Sequence, residues 1–456
     1  MKLWSHQQKA LEVAKNRFAL FFDPGTGKTL TALMLIKKNY ALYNKTIIIC
    51  PQNVGKNWEN EIAMHLDNYT IYSAYSGTKL KREKAMVKFY EFNQDRQFII
   101  VNAESIRSKQ YLELLSRAGA TSIIVDESHM FKSPDSQQTK GLLKLCSVVK
   151  PEHLYLLTGT PAPNGEINLW STFYLLRQTI DNFFVWRKKW FDDANERRRG
   201  TKGYWPEYKV REASKIEFKR QLSECSLTAK KEDVLDLPPL VKTKLYCELS
   251  KEQNTQYETM KEYLFAVHNG EELTASNVLT RGLRMLQILA GVFNDKAIHT
   301  PRLDALKYAI EEGGSEQFIV WTIFQPTYAQ IARLLEELGI TYGMLTGEQD
   351  QNTRNVVMED FQAGRIKAII ANPRAGGVGV NLTAASRSIH FTKNYNLVDD
   401  LQCEARNYRG GSEIHKSITR IDIVAEGTID EDINEALAAK KSIQDFVLGL
   451  KGKYGR

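Results

Sequence analysis

Asp23-Pro24-Gly25-Thr26-Gly27-Lys28-Thr29 follows an apolar run at 18–22. A strand, then glycines, then Lys-Thr opening a helix presents consecutive backbone N–H groups and a helix N-terminus to an anion. In such a loop Lys28 neutralises β/γ-phosphate oxygens and the Thr29 hydroxyl faces Mg²⁺. The consensus six-residue spacing wants glycine at position 22, where Phe22 stands. Farther on, Ile123-Ile124-Val125-Asp126-Glu127-Ser128-His129 ends an apolar run in two carboxylates. Asp126 suits a metal shell, and Glu127 a carboxylate that orients and deprotonates water. Near the C-terminus, Gln402-Cys403-Glu404-Ala405-Arg406-Asn407-Tyr408-Arg409 sets two arginines three residues apart, on one face of a helix. Guanidinium groups that meet a transferring phosphoryl stabilise its charge, so loop and arginines together read as a motor that closes on ATP.

Two further segments have small or hydroxyl residues where a backbone approaches something closely. Leu157-Thr158-Gly159-Thr160-Pro161 ends an apolar run and suits sensing of a γ-phosphate, or a plain turn. Arg374-Ala375-Gly376-Gly377-Val378-Gly379-Val380-Asn381 is glycine-rich.

Parallel α/β architecture is what these residues require for their placement. Strand-length apolar runs at 18–23, 45–51, 70–75, 97–102, 122–126 and 153–158 alternate with helical patterns. Runs such as Ile47-Ile48-Ile49 suit central strands covered on both faces. A second series at 317–324, 341–346, 367–372, 388–392 and 419–424 predicts another α/β lobe. Between 165 and 314 helical periodicity dominates, and Leu237-Pro238-Pro239-Leu240 marks the crossing to the second lobe. The carboxyl ends of parallel strands collect ligands, and the chemically suggestive residues fall there.

With 456 residues, 43% of them hydrophobic and 25% charged, the chain predicts a soluble globular protein of two or three domains. No apolar run reaches membrane-spanning length, and the N-terminus lacks a secretory signal. Cys50, Cys146, Cys225, Cys247 and Cys403 form neither a CxxC pair nor a zinc spacing and read as reduced thiols of a cytosolic protein. The net charge of +8 is suggestive of polyanion binding. Between residues 186 and 220 twelve basic residues face six acidic ones, with Trp190, Tyr204, Trp205 and Tyr208 interleaved. That stretch is either a solvated face beside a small aromatic core or a phosphate contact.

Taken together, these motifs resemble those of the Swi/Snf family of double-stranded-DNA translocases, superfamily-two helicase-like ATPases, almost end to end. Leu3-Trp4-Ser5-His6-Gln7 is similar to the adenine-recognition motif, with Gln7 as the base reader. Cys50-Pro51-Gln52-Asn53-Val54 through Trp58 and Glu61 resembles a segment on the DNA side. Asp126–His129 resembles the DExH box, 157–164 the LTGTPLQN motif, 375–382 the AGGxGxNL motif, and Gln402, Arg406 and Arg409 the last motif. Tyr395 stands where the family has Trp, Leu397 where it has Pro, and Gly410-Gly411-Ser412 where it has Ile-Gly-Gln.

The resemblance implies two tandem RecA-like parallel-sheet lobes, at 1–165 and 301–430, with a helical insertion and joint at 166–300. A bracing helix at 431–456 completes the expected plan. It implies ATP and Mg²⁺ as cofactors and ATP-driven tracking along double-stranded DNA. The implied catalytic residues are Lys28, Glu127, Arg406 and Arg409. Gln7, Gly25, Thr26, Gly27, Lys28, Thr29, Asp126 and Gly379 are expected to bind nucleotide, Thr29 and Asp126 to hold the metal. Asn53, Lys56, Asn102, Arg374, Gly376 and Tyr395 are expected on nucleic acid. A monomer in the cytoplasm of a bacterial or phage-infected cell is expected, with other phage or host DNA-processing proteins as partners and no membrane. A strand-separating helicase, an RNA-tracking enzyme and a nucleotide-gated DNA-binding scaffold are the rival readings.

Overall fold

A computed structural model describes residues 3–38, 44–92, 96–163, 165–200, 206–265, 275–293, 296–376 and 380–439. The chain divides into two compact units, the first holding Met1–Arg197 and Pro206–Leu235, the second Arg198–Trp205 and the chain from Asp236, just ahead of Leu237-Pro238-Pro239.

In the first unit the strands are β1 (Arg17–Phe22), β2 (Asn44–Cys50), β3 (Thr70–Ala74), β4 (Arg96–Asn102), β5 (Ser122–Val125) and β6 (His153–Leu157). A short antiparallel pair follows, β7 (Phe191–Asp193) with β8 (Tyr208–Val210), and then β9 (Ser226–Ala229). One parallel sheet has the order β3-β4-β2-β5-β6-β1-β9. The expected parallel sheet is present, and β9 is an addition, laid beside β1 from within the helix-rich stretch. Ile47, Ile48 and Ile49 are all fully buried, because helices cover both faces of a central strand.

The second unit begins with β10 (Leu240–Cys247), carries the antiparallel pair β11 (Val292–Phe293) and β12 (Lys296–Ala297), and continues with β13 (Phe318–Trp321), β14 (Tyr342–Leu345), β15 (Ala368–Ala371), β16 (Arg387–His390) and β17 (Ile418–Ala425). Its parallel sheet has the order β10-β17-β16-β13-β15-β14. Phe318, Val320, Ala368 and Ile370 face one apolar core, Ile319, Trp321, Ile369 and Ala371 the other, as period-two alternation requires. β10 is half solvated, which is why its sequence, Leu-Val-Lys-Thr-Lys-Leu-Tyr-Cys, lacks the apolar run that marks the other strands. The helix Ile429–Ala438 packs against the C-terminal half of the helix Ala275–Leu289 and against Tyr257, whose hydroxyl accepts the Ile429 N–H at 2.8 Å. Residues 440–456 of the expected bracing helix lie outside the described residues. Among the described residues no helix is long and apolar enough to cross a membrane.

Candidate functional site

The loop after β1 turns on two glycines in the left-handed region, Gly25 at φ 87° and Gly27 at φ 79°. That conformation costs an L side chain about 1 kcal/mol or more, and at Gly27 a Cβ would also meet Gln7 Nε2 at 2.4 Å. The helix Lys28–Lys38 opens immediately, with no acidic residue in its first turn, so its N-terminal N–H groups keep their attraction for an anion. Thr26 is fully buried, its hydroxyl donating to the Asp23 carbonyl at 2.7 Å. Lys28 Nζ donates to the Phe22 carbonyl at 2.8 Å, so its ammonium is turned back over the loop. Thr29 follows on the same first turn and is partly exposed.

The preceding helix, Ser5–Val13, is tied to this loop by two side chains. His6 Nε2 lies 2.8 Å from the Thr26 carbonyl, and Gln7 Nε2 donates to the Gly27 carbonyl at 3.3 Å. Gln7 Oε1 meanwhile accepts the Trp4 N–H at 2.9 Å. Gln7 is therefore buried on the loop backbone, beside the place where a nucleotide's phosphates would begin.

β5 delivers the two carboxylates. The Asp126 N–H continues the ladder to Ile49 at 2.8 Å, and its side chain is buried. Asp126 Oδ1 accepts the Glu127 N–H at 2.9 Å, and Oδ2 accepts Trp58 Nε1–H at 3.0 Å. Burial first and the Glu127 charge second push the Asp126 carboxyl up to about 6, against the pull of Lys28 and the Trp58 N–H. The Lys28 charge thus acts on Asp126, as a phosphate-and-metal cradle requires. Glu127 takes the left-handed conformation, φ 49° and ψ 49°, unusual for a residue with a side chain and a strain typical of functional turns. His129 Nδ1 sits 3.2 Å from Glu127 Oε2 and 3.0 Å from Thr158 Oγ1, which in turn accepts the Thr160 N–H at 3.1 Å. Gly159 completes the junction, since a Cβ there would meet Pro24 Cδ at 2.7 Å. The turns after β1, β5 and β6 therefore touch one another at one edge of one sheet.

In the second unit the helix Leu397–Asn407 carries Arg406 in its last turn, where it is buried. Its Nε donates to the Gln402 carbonyl at 2.8 Å and its Nη1 to the Val380 carbonyl at 3.1 Å. The Leu382 N–H donates to the Arg406 carbonyl at 3.0 Å. Arg406 thus braces the segment that closes the glycine-rich motif, while Arg409, beyond the helix end, is partly exposed. Gly377, Val378 and Gly379 lie outside the described residues, as does Asn164.

Residues 7–297 match the model of the SNF2-related domain, and residues 301–411 match that of the helicase conserved C-terminal domain. The chain belongs to the SNF2-related family. An uncharacterised ATP-dependent helicase of Mycoplasma pneumoniae is 25% identical over 97% of this chain, which spans 42% of that protein. Protein p41 of Acyrthosiphon pisum secondary endosymbiont phage 1 is 24% identical, with 93% of this chain and 92% of p41 covered. Among solved structures, the Sulfolobus solfataricus SWI2/SNF2 ATPase core in complex with dsDNA is 24% identical, covering 96% of this chain and 91% of that one at a TM-score of 0.44.

The residues expected on nucleic acid in this SNF2-related chain have varied environments. Asn53 is partly exposed in the turn Gln52–Val54, and Lys56 is exposed, paired with Glu59 at 2.9 Å. Asn102 is buried, and its Oδ1 accepts the Ser105 N–H at 3.0 Å, so it shapes the turn after β4. Arg374 is exposed, 3.8 Å from Asp399, on the short helix Pro373–Gly376 that also holds Gly376. Tyr395 packs partly buried against the cluster around Tyr257 and Ile429.

Trp58, whose segment resembles one on the DNA side, instead turns its indole fully inward onto Asp126. The spacing Gly55, Trp58, Ile62 is the sequence signal of that buried helix face. The basic insert resolves likewise: Trp186 and Trp190 are core, and Arg187 lies 4.6 Å from the Tyr208 ring centroid. Arg211 and Arg220 pair with Asp192 and Glu217. Trp186, Trp190 and Phe218 join the apolar core of the first unit, with Arg187 as cation–π cover and Lys188 and Lys219 facing solvent, while Tyr204 and Trp205 lie outside the described residues.

Proposed function

We propose that this SNF2-related chain is a DNA-stimulated ATP hydrolase whose turnover drives tracking along double-stranded DNA. The observation that carries the reading is the convergence of Lys28, Asp126, Glu127 and the turn 158–160 at one sheet edge. The backbone N–H groups of Gly25, Thr26 and Gly27 and the Lys28 ammonium bind the β- and γ-phosphates, and Gln7 is assigned to reading the adenine edge. Thr29 and Asp126 are the residues that would hold Mg²⁺, an oxygen donor set that suits a hard cation. When bound, the metal supplies neutralisation of phosphate charge. Glu127 orients a water and takes its proton as that water attacks the γ-phosphorus, the bond to the β,γ-bridging oxygen breaking so that ADP leaves and phosphate is formed. The contact from Glu127 through His129 to Thr158 gives the turn 158–160 a direct reading of that carboxylate's position.

Arg409 is assigned to the charge that develops on the transferred phosphoryl, with Arg406 holding the glycine-rich segment, including Gly379, in register. Nucleic acid is gripped through phosphates by Asn53, Lys56, Arg374, Gly376 and Tyr395, so stimulation should fall with salt. Asn102 serves that face by shaping its turn. A monomeric, cytoplasmic motor working on DNA with other DNA-processing proteins belongs to the same proposal. The test compares ATP hydrolysis on duplex DNA, single-stranded DNA and RNA at two salt concentrations, with triplex displacement as the measure of tracking. Glu127→Gln should still bind ATP and DNA while turnover drops by about 10²–10⁴-fold, the range of a general base. Turnover within tenfold of wild type would remove Glu127 from this role.

A further inference from the structure

We infer that Trp58 is a positioning residue for the metal-binding carboxylate, fixing the rotation of Asp126 through the indole N–H; this rests on the nucleotide-site reading above. Trp58 is fully buried, and the only polar atom of its side chain lies 3.0 Å from Asp126 Oδ2. Asp126 Oδ1 is held by the Glu127 N–H at 2.9 Å. One donor on each oxygen leaves the carboxylate a single orientation. Each oxygen keeps a second lone-pair direction for a cation or its water.

The helix that carries the indole is itself held in place. Gly55 begins its helix against the Tyr75 ring, so close that a Cβ would lie 2.3 Å from the ring carbons, and Glu59 accepts from the Ser73 hydroxyl. Burial alone does not force such a bond in this protein. Trp186 is equally buried, and among the described residues its Nε1 has no hydrogen-bond partner. The bond at Trp58 is therefore more than a consequence of burial, and it differs from that of the equally buried Trp321, which donates to the neutral Ser388 hydroxyl at 3.0 Å. A donor fixed in advance removes the reorganisation that a loosely held carboxylate undergoes on meeting a cation.

The experiment titrates a fluorescent ADP analogue against the full chain, first in EDTA and then across a Mg²⁺ series. Trp58→Phe removes the donor. A second variant with 3-benzothienylalanine at position 58 removes the N–H while keeping the ring shape, so a folding defect is controlled. For the isostere, affinity in EDTA should stay within twofold of wild type. The Mg²⁺ concentration giving half of the Mg²⁺-dependent affinity gain should rise about tenfold, the loss expected for a hydrogen bond to a charged group. An unchanged Mg²⁺ midpoint in the isostere would overturn the inference. Equal losses with and without Mg²⁺ would do so too, since they mark a merely structural role. A wild-type chain that binds no nucleotide at all would instead overturn the functional reading, before any variant is compared.

Discussion

Arg420 is the centre of a buried ionic cluster beneath the helix that carries Arg406, and its removal has a calculable cost. Arg420 is 4% exposed and lies 2.6 Å from Asp400, 3.1 Å from Asp422 and 3.3 Å from Glu404. Lys393 supports Asp422 at 2.7 Å, and Lys242 pairs with Glu404. Three cations therefore balance three carboxylates. Burial opposes the Arg420 charge, but Asp400 and Asp422 hold its affinity for a proton above the ordinary value, so it stays charged. Arg420→Met keeps much of the volume and leaves two cations facing three buried carboxylates. Breaking a buried pair by deleting one partner costs about 3–5 kcal/mol, so the second unit should lose that much at pH 7.

With Arg420 gone, Asp400 is the carboxylate with no other cation paired with it among the described residues, and Arg420→Met/Asp400→Asn restores a two-to-two balance. That double variant should recover all but about 1–2 kcal/mol, the hydrogen bonds being unreplaced. Urea unfolding, with hydrogen exchange of the β17 amides to isolate the second unit, measures each quantity. A loss below about 1 kcal/mol in the single variant, or no recovery in the double variant, refutes the accounting.

The other predictions use different observations. His390 is buried, and burial first and the Arg420 charge second push its imidazole down to about 3 from 6.5. Between those values the unfolded chain binds a proton that the folded chain lacks. Stability is therefore full above pH 6.5 and about 2 kcal/mol lower at pH 5. His390→Phe should lose less stability between pH 7 and 5 than wild type in urea midpoints, and an equal loss counts against the buried neutral imidazole. Gly27→Ala should weaken nucleotide binding by about tenfold or more, because a Cβ strains φ 79° and displaces the Gln7 amide. Its melting temperature should fall by only about 2–4 °C, for a strain of about 1 kcal/mol; unchanged affinity in a nucleotide titration would refute the close approach.

How much of this was legible beforehand differs by element. Most of the apolar runs that became β1 to β6 and β13 to β17 are buried on both faces, a requirement visible in composition, while the edge strands β3 and β14 are part-buried yet keep enough apolar residues to be read. β9 and β10 were not anticipated. Each lies at a sheet edge, and the half-solvated β10 in particular carries lysines in place of the apolar run. Asp126, Glu127 and the glycine loop were identifiable because their chemistry depends on local spacing, which a strand and a turn preserve.

Sequence alone determined that a glycine-rich Lys-Thr loop and an acidic strand end, the residue types that phosphate chemistry would need, belong to one α/β chain. Tertiary structure alone decided that Trp58 faces Asp126, that Asn102 is spent on its own turn, and that Arg406 braces Val380. The physical reason is the range of the information. Backbone periodicity fixes which face of an element a residue occupies, whereas the partner on the facing element, 26 residues away for Arg406 and 68 for Trp58, is chosen by how the elements pack.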